Sequence, residues 1–222
     1  MTVTEFDLHQ REAEGAAAFV MALRARGIRD TAVLSAMERV PRELFAPNRF
    51  ADLARSDVAL PLPCGQTMTA PGTVAAMLVA LKVEEGHRVL EVGTGSGYVT
   101  ALIARMGARV LSVERYATLA DSAASRLRIG GYEGATVRVA DGLSLDLGQT
   151  RFDRVLVNGS ARSFSPGLTT LLAPGGRLVG VLVINGLSRL TTIEREDTGG
   201  LTHETGPTLR LSPLSRGRAA YL

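Results

Sequence analysis

Three glycines at alternate positions, Gly93, Gly95 and Gly97, directly follow four residues suited to a buried strand, Val89, Leu90, Glu91 and Val92. An apolar pattern at helical spacing continues through Ala101, Leu102 and Ala104, so the stretch reads as strand, glycine turn and helix. Glycines here let the backbone take positive φ and approach a ligand that a Cβ would push away, and the N–H groups opening the helix are expected to face that ligand. Two further acids fall at matching places. A second apolar strand, Arg109 to Val113, ends in Glu114, seventeen positions beyond Gly97, and a third, Thr136 to Ala140, ends in Asp141-Gly142. Seventeen positions is about the spacing at which an acidic side chain takes ribose hydroxyls in nucleotide-binding βαβ units. The expected chemistry is therefore binding of a ligand with polar or anionic groups at the carboxyl ends of parallel strands. The same acids could instead serve as helix caps.

A second group of polar side chains, Gln66, Thr67 and Thr69 with Met68 among them, closes the stretch from 41 to 71. That stretch holds five of the nine prolines and little periodicity, yet is apolar enough to be an ordered, functional loop. Its hydroxyl and amide side chains are candidates for contact with a ligand. Thr69 has a purely structural alternative, as N-cap of a helix over 71–82 that starts with Pro71.

These groups need a scaffold, and the rest of the chain supplies one. With 222 residues, 45% hydrophobic and 21% charged, it can build one sizeable core. Apolar residues at helical spacing, Ala13, Ala17, Val20 and Met21, predict a helix over 10–27 that stops at Arg26-Gly27. Asp30 is expected to cap a second helix over roughly 31–39, ended by Pro41. After the three strands already named, a fourth is expected over Phe152 to Val157, another over Val179 to Ile184, and one beginning at Leu190 to Arg195. The polar run 197–207 with Gly199-Gly200 then suggests a hairpin returning through Leu209 to Leu214. The fold class is α/β, a doubly wound, mostly parallel sheet with N-terminal helices and antiparallel C-terminal edge strands. An N-terminal helical segment with its loop (1–70) is expected to pack on the α/β domain (71–222) as one compact unit.

The formal charge is +3, and the basic residues are arginine except for Lys82 and are spread along the chain, which argues against a nucleic-acid surface. The single Cys64 allows no internal disulfide, and His9, His87 and His203 are too far apart in sequence to suggest a zinc site, so no metal is expected. The apolar run Ala16 to Leu23 is too short for a membrane span and lacks the basic start of a signal peptide. These features point to a reducing, cytoplasmic compartment without membrane attachment. Nothing in the sequence indicates an oligomeric state.

The glycine turn, read as G-x-G-x-G with Glu91 two residues before it and Thr94 within it, resembles motif I of methyltransferases that use S-adenosylmethionine. Four longer segments, RGIRDTAVLSAMERVPRELFAP (26–47), LPLPCGQTMTAPGTVAAML (60–78), VLEVGTGSGYVTALIA (89–104) and APGGRLV (173–179), occur in the order and spacing of the protein-L-isoaspartate O-methyltransferase family. SPL (212–214) resembles the end of that family's C-terminal strand. The resemblance covers most of the chain. It implies a Rossmann-like methyltransferase fold, S-adenosylmethionine as cofactor, and methylation of the side-path carboxylate of L-isoaspartyl residues in damaged proteins, a repair reaction. It further implies that Thr69, where the family has a serine, contacts the acceptor carboxylate, and that Gln66, Thr67 and Met68 line the same loop. Glu91, Gly93, Thr94, Gly95, Gly97, Glu114, Asp141 and Gly142 fall on the cofactor side, with Glu114 on the ribose hydroxyls and Asp141 near the adenine amino group.

A carboxylate is already ionised at neutral pH, so its methylation requires positioning and exclusion of water rather than a strong base. The sequence, with no Ser-His-Asp or Cys-His signature, agrees with that. It departs from the family pattern at Pro63 for a glycine, at Cys64, at Thr69, at Asn158-Gly159-Ser160-Ala161-Arg162 for a small T-A-A-A-P-like segment, and at Val181-Leu182-Val183 for P-x-G. Proline fixes φ near −65°, so the loop at Pro63 must find its positive φ elsewhere. Alternatives are a relative methylating another peptide or small-molecule carboxylate, and a non-catalytic cofactor-binding protein. Base methylation is disfavoured because no N-P-P-Y-like stretch follows the fourth strand.

Overall fold

Val89 to Val92 form the central strand of a computed structural model that describes residues 5–219; the side chain of His9 lies outside the described residues. The helices and strands, in chain order, are α1 (Glu5–Ala25), α2 (Thr31–Arg39), β1 (Leu60–Pro61), β2 (Thr67–Met68), α3 (Pro71–Leu81), β3 (Arg88–Val92), α4 (Tyr98–Arg105), β4 (Arg109–Glu114) and α5 (Ala117–Ile129). They continue with β5 (Ala135–Val139), β6 (Phe152–Ala161), α6 (Pro166–Thr170), β7 (Leu172–Ile184), β8 (Leu187–Arg195) and β9 (Leu201–Thr208). β1 and β2 form a small antiparallel pair, and the other seven strands form one sheet in the order β5-β4-β3-β6-β7-β8-β9. The first five run parallel, while β8 and β9 are antiparallel.

Side chains alternate across the parallel strands as a period of two requires. Val89, Val110, Leu156 and Val179 join one core with residues of α1 to α5, whereas Leu90, Val113, Val155, Val157 and Leu178 join a second core with Leu168 of α6 and the segment after β5. The first core runs without interruption from α1 to β8, so the N-terminal segment and the sheet share one interior. Chain order reverses between β3 and β6, which makes the gap beyond their carboxyl ends the place where doubly wound sheets bind ligands. No helix among the described residues is long and apolar enough to cross a membrane.

At the N-terminal end the expected helix stop and cap agree with the structure, but α1 starts before residue 10 and buries Phe19 and Leu23, whereas Ala13, Ala17 and Met21 of the expected apolar face are exposed. Gly27 takes φ 93° just past α1, and the Asp30 carboxylate accepts from Val33 N at 2.9 Å to cap α2. The C-terminal edge differs. The polar stretch expected as a hairpin turn contains the edge strand β9, and 209–214 is not a sheet strand. Leu209–Leu214 instead crosses the sheet's carboxyl end, where Ser160 N donates to Ser212 O at 2.9 Å and Leu214 N to Ser160 O at 2.8 Å. An exposed edge strand pairs on one side only and tolerates Gly206 and Pro207, so it carries no apolar alternation to read. Of the apolar residues after it, Leu209 and Leu211 pack on the first core and Leu214 on the second, and Pro213 and Leu214 line a cleft.

Candidate active site

The cleft lies at the carboxyl ends of β3, β4 and β6, and encloses about 890 Å³, part of it open to solvent. Its floor is the glycine turn. Gly93 takes φ 96°, and a Cβ there would stand 3.0 Å from the Asn158 carbonyl oxygen, so β6 can approach the turn only because no side chain intervenes. Gly97 serves packing instead, since its Cβ would meet that of Ala123 on α5 at 3.1 Å.

Several N–H groups of the turn are engaged within the protein. Gly93 N and Thr94 N donate to Val113 O, Gly95 N to Glu114 Oε2, Gly97 N to Thr94 O and Tyr98 N to Ser96 Oγ. These five N–H groups are thereby withdrawn from a bound anion. The charged groups beside the turn point to a ligand of a different kind. Glu114 is 6% exposed and lines the cleft, and its two oxygens accept from Gly95 N at 2.9 Å and Tyr116 N at 3.0 Å. Those bonds orient the carboxylate and leave each oxygen further acceptor capacity. Asp141 also lines the cleft. Burial alone would raise its pKa, but N–H groups of Gly217 and Leu143, the Ser144 hydroxyl and the Arg115 charge outweigh that and hold it below the ordinary value. Gly142 is required next to it, because a Cβ would fall 2.4 Å from Val92 Cγ1.

Glu91 stands apart from the other expected cofactor residues. Sharing a sheet face with Val89, it is fully buried beneath the turn and does not line the cleft. Its Oε2 accepts from the Thr100 and Ser112 hydroxyls, and its Oε1 lies 3.4 Å from Asn158 Nδ2. Its position supports the turn from behind.

The opposite wall of the cleft comes from the loop. Gln66, Thr67, Met68 and Thr69 all line it. Gln66 Nε2 donates to Cys64 O at 3.1 Å, and the Thr67 hydroxyl lies 2.8 Å from that of Ser212. The positive φ lost at Pro63 moves to Cys64 (62°) and Gly65 (64°), within a short turn that Pro63 begins. Burial, and then the Glu114 charge, push the Cys64 thiol up, away from the thiolate that a nucleophile needs. Thr69 is not the cap of α3. The N-cap position is Ala70, with no side-chain cap, and the N–H of Gly72 is taken by Asp57 Oδ1 at 2.6 Å. The Thr69 hydroxyl points to Asn158 Oδ1 at 3.5 Å.

Three features were not anticipated as parts of the site. Arg42, 1% exposed, donates to the carbonyls of Ala54 (2.6 Å), Val58 (3.1 Å) and Thr69 (3.1 Å), fixing the loop from beneath. Its signal in the sequence was the V-P-R-x-x-F segment (40–45), read only as a family marker. Asn158 lines the cleft between the turn and Thr69. The C-terminal segment closes one side through Ser212, Pro213 and Leu214, anchored where Gly217 N meets Asp141 Oδ2 at 2.8 Å and Arg115 Nε meets Gly217 O at 2.8 Å. Among the described residues, no group of three or more His, Cys, Asp or Glu side chains comes together in a way that could hold a metal ion.

The fold of most of the chain is shared with solved structures. It matches a Plasmodium falciparum chain assigned as a protein-L-isoaspartate O-methyltransferase and solved with S-adenosyl-L-homocysteine, with a TM-score of 0.79 at 21% identity over 89% of this chain and 97% of that one. A second structure, a protein-L-isoaspartate O-methyltransferase, matches with a TM-score of 0.80 at 20% identity, over 91% of this chain and 67% of that one. Sequence similarity goes further. The chain is 45% identical over 180 residues to a protein-L-isoaspartate O-methyltransferase of Rhodopseudomonas palustris (strain BisB5), covering 81% of this chain and 83% of the relative. It is 41% identical over 207 residues to one from Xanthobacter autotrophicus, covering 92% and 94%. The family model for protein-L-isoaspartate(D-aspartate) O-methyltransferases matches residues 14–218, and with that extent of agreement the chain belongs to this family.

Proposed function

We propose that the protein transfers a methyl group from S-adenosylmethionine to the side-path carboxylate of L-isoaspartyl residues in damaged proteins, the opening step of their repair. One observation carries the reading beside family membership: a single cleft sets the glycine turn and Glu114 against a loop that presents Gln66, Thr67 and Thr69. The residues fit the cofactor. Two acids with remaining acceptor capacity suit ribose hydroxyls and an amino group, and Val92, Val99 and Leu143 offer apolar surface for a base. We assign Glu114 to the ribose hydroxyls and Asp141 to the adenine amino group. When bound, S-adenosylmethionine supplies an electrophilic methyl on a sulfonium.

The chain's own part is to hold the acceptor in line and keep water out. The acceptor carboxylate arrives ionised, so no general base is required. Thr69 donates its hydroxyl to one carboxylate oxygen, Gln66 and Thr67 flank the peptide, and the C-terminal segment over the cleft limits solvent. Rate then comes from proximity and orientation. The acceptor is protein or peptide rather than nucleic acid, and the lone, unpaired Cys64 fits a reducing compartment, so we place the activity in the cytoplasm. Methyl transfer to a synthetic isoaspartyl peptide is the direct test of the reading.

Two variants check the assignments. Glu114→Ala is expected to weaken S-adenosylhomocysteine binding by about 1.5–3 kcal/mol, the range for hydrogen bonds to a buried charged group, as read by calorimetry. Unchanged affinity would remove Glu114 from the cofactor site. Thr69→Val keeps the volume and removes the donor. It should lower kcat/KM by about 1.5–3 kcal/mol with an unchanged melting temperature, while Thr69→Ser retains much of the activity. A drop in stability with intact catalysis would contradict the role.

A further inference from the structure

Val92 pairs with Val157 across β3 and β6, so Asn158 is the next residue of β6 and stands beside Gly93 at the point where strand order reverses. Its side chain, half-buried in the cleft wall, touches three separate elements. Nδ2 donates to Gly93 O at 3.1 Å and lies 3.4 Å from Glu91 Oε1, while Oδ1 faces the Thr69 hydroxyl at 3.5 Å. The orientation of the amide follows from its neighbours: two acceptors on one side require the NH₂ end there and leave the oxygen for the hydroxyl.

We infer that Asn158 is a positioning residue for methyl transfer, tying the hydroxyl of Thr69 to the glycine turn. The inference rests on the reading of Thr69 as the group that orients the acceptor. Arg42 holds the Thr69 carbonyl at 3.1 Å, so the main chain is anchored from one side and the side chain from the other. A β-branched side chain has few χ1 choices, and one distant acceptor is enough to select among them. The hydroxyl carries one proton, so the 3.5 Å contact sets the Thr69 rotamer before the acceptor arrives and is given up when that proton turns to the carboxylate, the amide staying fixed to Gly93. The two walls of the cleft are thereby kept in register, as in-line transfer requires.

A double-mutant cycle of Asn158→Ala and Thr69→Val tests this, measured as kcat/KM on an isoaspartyl peptide together with S-adenosylhomocysteine affinity. In the natural background Asn158→Ala should lower kcat/KM about ten-fold, mainly through kcat, with the S-adenosylhomocysteine affinity within about two-fold. In the Thr69→Val background the same change should cost about two-fold or less, because its target is gone. Equal losses in both backgrounds would overturn the inference, as would a loss that merely follows weakened cofactor binding. A loss from Thr69→Val with none from Asn158→Ala would overturn it alone. No loss from Thr69→Val would overturn the reading of Thr69 and this inference with it. Should Asn158→Ala fail to fold, Asn158→Val, whose branched side chain suits the strand and makes no hydrogen bond, carries the same comparison.

Discussion

Replacing Arg42 by alanine is expected to destabilise the protein by about 3–5 kcal/mol, among the larger losses a single substitution produces. The guanidinium is buried and donates to three main-chain carbonyls, those of Ala54, Val58 and Thr69, spread over sixteen residues of otherwise irregular chain. Without it the buried Ala54 carbonyl loses its partner at a cost of about 1–3 kcal/mol before relaxation, the part-buried carbonyls of Val58 and Thr69 lose theirs, and the space beside Tyr98 is emptied. Burial lowers the Arg42 pKa, with Tyr98, Asp57 and Glu43 opposing, and the guanidinium stays a cation throughout. Arg42→Lys keeps the charge but lacks the planar fork that spans three carbonyls, and should recover about half of the loss. Urea denaturation of the three proteins measures this. A loss below about 1 kcal/mol for Arg42→Ala would show that the loop holds its path without the arginine.

The second large effect concerns pH. Burial pushes the Glu91 carboxyl from an ordinary 4.5 up to about 7, against hydrogen bonds from Thr100, Ser112 and Asn158 and with a small further rise from the Glu114 charge. The folded state therefore keeps this proton up to about pH 7, whereas the unfolded chain releases it near 4.5. Between those values the unfolded state binds fewer protons, so this group makes stability fall as pH rises, levelling off above about 7. Glu91→Gln mimics the neutral acid and removes the dependence. The variant should match the natural protein near pH 4.5 and exceed its stability by about 3 kcal/mol above pH 7.5, with other groups cancelling in the difference. Parallel denaturation at the two pH values reads it, and identical pH dependence in both proteins would contradict the assignment.

The strand, glycine turn and helix around Gly93 were legible because glycines and buried apolar residues are constrained locally. Glu114 and Asp141 were placed correctly in the cleft by their position at strand ends. Glu91 was not, because an acid one residue before the end of a strand looks the same whether it faces a ligand or, as here, hydroxyls under the sheet. Thr69 was ambiguous between cap and site for a similar reason. Only the tertiary arrival of Asp57 at Gly72 N frees it from the helix. Arg42 acts through main-chain carbonyls and Asn158 through Gly93 O and the Thr69 hydroxyl, tertiary contacts that residue type does not reveal. β9 was hidden by its exposure, since an edge strand facing water on both sides needs no hydrophobic alternation.

The most direct measurement of the central claim sets two peptides side by side, identical except that one contains an isoaspartyl and the other an aspartyl residue. With S-adenosylmethionine present, the protein should methylate the isoaspartyl peptide, and kcat/KM for its partner should be lower by about a hundred-fold or more, because moving the backbone by one methylene takes the carboxylate out of line with Thr69. Equal turnover of the two, or turnover of neither by folded protein that binds S-adenosylhomocysteine, would contradict the account.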